Sequence, residues 1–204
     1  MNIFVTDSDP VQSAKNLCDK HVVKMILESA QLLCTAHWVA WQSRLRAENI
    51  KGRALKQYLQ DNIPKNMQPA YSMTHFNHPC AVWARKAKPN YDWLSEHALA
   101  MCIEYTARYG KRHKTQDIIE WLQVNHPPLF FSFSKTLTPF AVAMPDEYKV
   151  EDPVVSYRNY YIGSKSKIAK WRHSDKPSWW PNTYSLSGDA DEEEGDDAEE
   201  SDGI

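Results

Sequence analysis

Apolar positions recur along this chain mostly at helical spacing. Residues 2–6, NIFVT, make a short apolar stretch suited to extended backbone. Asp7, Ser8 and Asp9 then precede Pro10. An Asp before a Pro is a strong helix start, because the carboxylate accepts from free N–H groups and Pro tolerates the first helical position. The pattern predicts one long helix from Pro10 to about Arg46, with Cys18, Val22, Met25, Ser29, Leu32 and Ala36 on one face. Val23, Ile26, Ala30 and Leu33 widen that face until only a narrow polar stripe remains: Lys20, His21, Lys24, Glu28, Gln31 and Thr35. So apolar a helix must be largely covered, which makes its polar line a cleft wall or a small solvent window.

Residues 44–76 are polar and mixed, with a short helix expected near 54–61 and a loop around Pro64 and Pro69. Pro79 opens a short helix ending near Arg85. Pro89 opens a clearer one, with Trp93, Ala100, Ile103 and Ala107 as inward candidates and Gly110 as its C-terminal cap. Thr115 caps another, which ends before Pro127 and Pro128. Residues 127–150 read as irregular, with extended pieces at LFFSF. Asp152 and Pro153 repeat the start signal for a helix through Tyr161 that Gly163 closes. Four to six helices, little sheet and no internal repeat predict a mainly α, single compact domain over residues 1–184, led by a long N-terminal helix.

Charge divides the chain. Residues 188–204 hold ten Asp or Glu and no Lys or Arg, which leaves 24 basic against 16 acidic residues in 1–187, a formal net of +8. Ten carboxylates without apolar partners cannot bury a core, so 185–204 is expected to be a disordered acidic tail. The body's balance suits a polyanion partner. The first residues are too short and acidic for a signal peptide. No apolar run reaches the ~20 residues of a membrane helix. Cys18, Cys34, Cys80 and Cys102 are scattered, as reduced core thiols would be. These readings predict a monomeric cytoplasmic protein.

Three constellations carry candidate chemistry. His21, Lys24 and Glu28 share one helix face, where an imidazole, an amine and a carboxylate can transfer protons or support covalent amine catalysis. The bland alternative is an exposed stripe with a Lys24–Glu28 pair. In the C-terminal segment, Tyr157, Arg158, Tyr160, Tyr161, Lys165, Lys167, Lys170, Trp171, Arg172, Lys176, Trp179 and Trp180 alternate aromatics with cations. Aromatic faces stack bases and cations neutralise phosphates, although some of these rings will dock the segment on the core. Arg85, Arg108, Lys111, Arg112, His113 and Lys114 form a second basic cluster. HFNHPC (75–80) has loosely metal-like spacing but no matching half, so it reads as a polar loop lining a site. No metal or cofactor is expected. The absence of GxxxxGK[ST], GxGxxG and GxSxG argues against P-loop, Rossmann and serine-hydrolase chemistry.

Two segments resemble a known family. LCDKHVVKMILES (17–29) is similar to the first-helix motif of the phage endonuclease V type of pyrimidine-dimer DNA glycosylase, with Asp19, His21 and Glu28 at the motif positions. YRNYYIG (157–163) resembles that family's C-terminal aromatic-basic motif. The resemblance implies a compact α-helical, virus-encoded enzyme that bends damaged DNA, flips a nucleotide and cleaves an N-glycosidic bond, with β-elimination following. It implies an N-terminal α-amine as nucleophile and Glu28 as the group that steadies the sugar intermediate and moves protons. The family's amine belongs to a small residue 2, freed by loss of the initiator Met. Here residue 2 is Asn2, so the amine of Asn2, that of Met1, and Lys24 all stand as nucleophiles. Leu27 and Gln31 replace the arginines that flank the family's Glu. A non-catalytic nucleic-acid-binding protein with a regulatory tail, and an enzyme acting on modified bases or RNA, stand as alternatives.

Overall fold

A computed structural model of the chain describes residues 1–181. The acidic tail expected at 185–204 lies outside the described residues. Seven α-helices carry the described fold, with no strand among them: α1 (Pro10–Lys15), α2 (Asp19–Arg44), α3 (Gly52–Asn62), α4 (Pro79–Lys86), α5 (Lys88–Tyr109), α6 (Gln116–Val124) and α7 (Pro153–Ser164). No helix among the described residues is long and apolar enough to cross a membrane. The fold is mainly α, with one helix more than the upper expectation because the predicted first helix is two.

That break lies at Asn16–Cys18, and distant residues make it. Arg108 donates to the carbonyls of Lys15 (3.0 Å) and Leu17 (2.8 Å). The Trp171 indole donates to Asn16 O at 3.2 Å. Cys18 N–H donates to the Tyr161 hydroxyl (3.0 Å) and Asp19 N–H to Lys170 O (2.9 Å). Five backbone groups freed by the interruption thus find partners in α5 and the C-terminal segment, which removes the cost of leaving them bare.

Both Asp-Pro starts hold. The Asp9 carboxylate accepts from Gln12 N–H at 2.6 Å, and that of Asp152 from Val154 N–H at 2.7 Å. Gly110 ends α5 in the left-handed region (φ 66°). Gly163 falls inside the last turn of α7, where a Cβ would run into the Tyr148 ring, so its role there is close approach. LFFSF forms no strand and stays irregular. Of the inward candidates on α5, Trp93 and Ala100 are buried while Ile103 and Ala107 are exposed, because α1 and α6 cover the other faces.

α2 is the central element and packs on α5, α4 and α6. Every residue from Leu32 to Trp41 is buried, so this half is sheathed all round. Its first half is open along Lys20, Val23, Lys24 and Leu27. Val23 therefore belongs to the open side, and His21 to the core. The thiols of Cys34, Cys80 and Cys102 are pushed up to about 12, first by burial.

Candidate active site

The N-terminal segment lies inside the protein, with Ile3, Phe4 and Val5 all buried. Asn2 shapes it. Its side-chain oxygen accepts from the N–H groups of Ile3 (2.8 Å) and Phe4 (3.3 Å), while its amide donates to Ala143 O at 2.8 Å. This local turn accompanies a left-handed Phe4 (φ 39°), a conformation a bulky residue adopts only when its surroundings impose it. Phe4 is held on several sides: its ring stacks on His21 (4.3 Å between centroids) and meets Tyr161 edge-on.

The turn brings the chain start against Glu28. Asn2 N–H donates to Glu28 Oε2 at 3.0 Å, and the Met1 amine lies 3.5 Å from the same oxygen. The Glu28 side chain is 14% exposed and that of Met1 3%. Lys24 Nζ lies 3.4 Å from Glu28 Oε1 on a side chain that is 70% exposed. A carboxylate thus sits in a partly enclosed place with an α-amine on one side and an exposed lysine at its solvent edge. Such an arrangement can hold an amine, take its proton and return one.

The HFNHPC loop borders this place. His78 caps α4, its Nδ1 accepting from Cys80 N–H at 3.2 Å. Burial, then the nearby N-terminal charge and His75, lower its pKa, while Glu28 acts in the opposite sense. Arg85 donates to Phe76 O at 2.7 Å, and its guanidinium lies over the Phe76 ring. Among the described residues no group of three or more His, Cys, Asp or Glu side chains is disposed to hold a metal ion.

His21 does not join Glu28 at the open edge. It is buried, its Nδ1 meets the Tyr161 hydroxyl at 2.6 Å, and burial followed by Lys165 and Lys24 lowers its pKa to about 4. In the C-terminal segment Tyr157, Tyr161 and Trp171 are buried, Tyr160 is half-buried, and Lys167, Lys170, Arg172 and Lys176 are exposed. Lys165 lies over the Tyr160 ring. Arg158 is tied to Thr6 O (2.9 Å) and Asp7 (3.4 Å). In the second basic cluster, Arg112 pairs with Asp117 and with Glu120, and Lys114 is exposed. Sequence reasoning missed the Asn2 side chain as the shaping element, and missed Ala143, whose contribution is a backbone carbonyl that no residue type announces.

The model of the pyrimidine dimer DNA glycosylase family matches residues 1–117, from the chain start through the whole of α2 and the HFNHPC loop. The chain belongs to that family. The match covers the amine, Glu28 and the His78 loop together, and makes DNA the substrate class. None of the curated proteins and none of the solved structures compared with it matches.

Proposed function

We propose that this pyrimidine dimer DNA glycosylase family member removes damaged pyrimidines from DNA as a monomer, and that it also cuts the abasic strand by covalent amine catalysis. The reading rests on one observation above all: the 3.0 Å contact between the backbone nitrogen of residue 2 and Glu28 Oε2, with the Met1 amine 3.5 Å away. The nitrogen lone pair of the N-terminal amine attacks the sugar C1′. The C1′–N glycosidic bond breaks, and the pyrimidine leaves with its electron pair and takes up a proton. The attacking nitrogen loses a proton, the C1′–O4′ bond opens with O4′ protonated, and an imine links protein to sugar. Glu28 then removes a proton from C2′, and the 3′-phosphate leaves with the C3′–O3′ electrons.

The amine must be neutral to attack. As a class, α-amines ionise near pH ~8 and lysine side chains near ~10.4, which favours the N-terminus over Lys24. The Met1 amine is within reach of Glu28, and the Asn2 nitrogen, an amide while Met1 is attached, becomes the amine there once Met1 is lost. His21 acts as a positioning residue, since it supports the Phe4 ring whose backbone turns the chain start towards Glu28. A purely DNA-binding role would suit a Glu28 on an open convex face, and its 14% side-chain exposure opposes that. Leu27 and Gln31 leave phosphate contacts to other cations.

Borohydride reduces an imine to a stable bond. The protein should become covalently trapped on abasic-site duplex in its presence, and Glu28→Gln should abolish strand scission while keeping DNA binding. Peptide mass analysis of the adduct identifies Met1, Asn2 or Lys24 as the linked residue. No adduct with abasic or ultraviolet-irradiated DNA, or full activity of Glu28→Gln, would refute the reading.

A further inference from the structure

Beyond the family-matched residues, the stretch between α6 and α7 carries an apolar ridge that no element among the described residues covers. Phe131, Phe133 and Leu137 are 52%, 101% and 38% exposed. Lys135 between them is exposed as well, and the intervening Ser132 and Ser134 are half-buried. Both phenylalanines therefore face solvent from this irregular loop, while the serines beside them are partly covered. Single exposed apolar residues are ordinary, but three within seven residues on one strip mark a contact surface.

The ridge is anchored at both ends. Phe130 packs on Tyr91. Thr138 exchanges hydrogen bonds with the Asn90 side chain at 2.7 and 3.0 Å, and its carbonyl accepts from the Trp83 indole. Ser134 ties the middle locally, donating to Thr136 O at 2.7 Å. Two phenyl rings are therefore held outward on a braced loop.

Its position relates it to the amine and Glu28. α4 runs from His78, beside the N-terminal charge, to Trp83, which holds the root of the ridge; five helical residues rise only ~8 Å. Downstream, the chain passes from Phe133 to Ala143, whose carbonyl holds Asn2. Ten residues span at most ~36 Å, about ten base-pair steps of duplex. That separation is about one helical turn of duplex.

We propose that Phe131 and Phe133 form a stacking wedge for DNA bases unpaired around the lesion, with Lys135 against the adjoining phosphate. The proposal rests on the glycosylase reading. Chemistry on a base requires its nucleotide to leave the stack, and the vacated step exposes flat apolar faces. Aromatic side chains fill such gaps or stack the displaced base. A strip of two rings with one cation complements bases flanked by phosphates better than a purely apolar partner surface.

The test uses the full chain, duplexes with and without a central abasic site, and 2-aminopurine beside that site. Phe131→Ala/Phe133→Ala should weaken binding to abasic duplex about 10- to 100-fold, as the loss of one or two stacked bases requires. Affinity for undamaged duplex and the melting temperature should stay unchanged, because both rings are exposed. Wild type should alter 2-aminopurine fluorescence and the double variant should not; Phe133→Trp should retain the effect. Equal binding of abasic duplex by wild type and double variant would overturn the proposal. So would a wild-type dimer that the double variant abolishes, which would assign the ridge to self-association. If no protein is trapped by borohydride, the lyase reading fails while the binding contrast still decides the wedge.

Discussion

Asp19 and Glu28 are two carboxylates on one helix, each facing buried positive charge, and their surroundings differ. Asp19 accepts from Arg108 at 3.2 Å and from Arg172 N–H at 2.7 Å. Arg108, its side chain 1% exposed, also pairs with Glu104 at 3.1 Å and serves the carbonyls of Lys15 and Leu17. Its donors are engaged on several sides, and a guanidinium does not release its proton in proteins. Glu28 instead meets an α-amine and a lysine, cations of a kind that can become neutral and nucleophilic. The same pairing of charges gives a brace where the cation is permanent and fully engaged, and a reagent where it can lose its proton at the edge of solvent.

The comparison breaks most sharply at the brace. Arg108→Met leaves Asp19 and Glu104 without their buried cation and reopens the α1–α2 break, so unfolding in urea should show a loss of about 3–5 kcal/mol. A loss under about 1 kcal/mol would mean that Arg108 braces nothing.

Acid should act next. The unfolded chain takes protons on His21, His37 and His97 as pH falls through 6.5, whereas burial holds all three at about 4 in the folded protein. Stability should be full above pH 6.5 and decline as pH falls towards 4, by a few kcal/mol in order of magnitude. Chemical denaturation at half-unit steps checks this, and a flat profile across that window would contradict it.

At the reactive pair the effect on stability should be small. Glu28→Gln should shift unfolding by no more than about 1 kcal/mol while slowing scission at least ~100-fold. Lys24→Met should be smallest, within about 0.5 kcal/mol, because the lysine is exposed. It should also leave borohydride trapping intact; loss of trapping would move the nucleophile from the chain start to Lys24.

What could be read from the sequence was what is local. The Asp-Pro starts at 9–10 and 152–153, the Gly110 cap and the open line through Lys24 and Glu28 all depend on neighbours a few residues away. The break at Asn16–Cys18 was not legible, since its partners Arg108, Tyr161, Lys170 and Trp171 lie far along the chain. The stripe was displaced for a related reason: His21 turns inward because Phe4 and Tyr161 offer it a ring face and a hydroxyl, and Val23 is left outside. Tyr157 and Tyr161 resemble a stacking surface in composition, yet their hydroxyls have interior partners, Ala141 O for one and Cys18 N–H for the other. LFFSF was read with extended pieces and forms no strand, and composition alone could not tell which of its rings would face solvent.

The four thiols lie at zero exposure, spread over the α1–α2 junction, mid-α2, α4 and α5. Only a thiolate attacks an alkylating reagent, so an intact molecule offers such reagents no target, and each label taken up records a molecule that has opened. Because the cysteines sit on different seams of the core, the order in which they are modified would map where the molecule first comes apart, with no reporter group added.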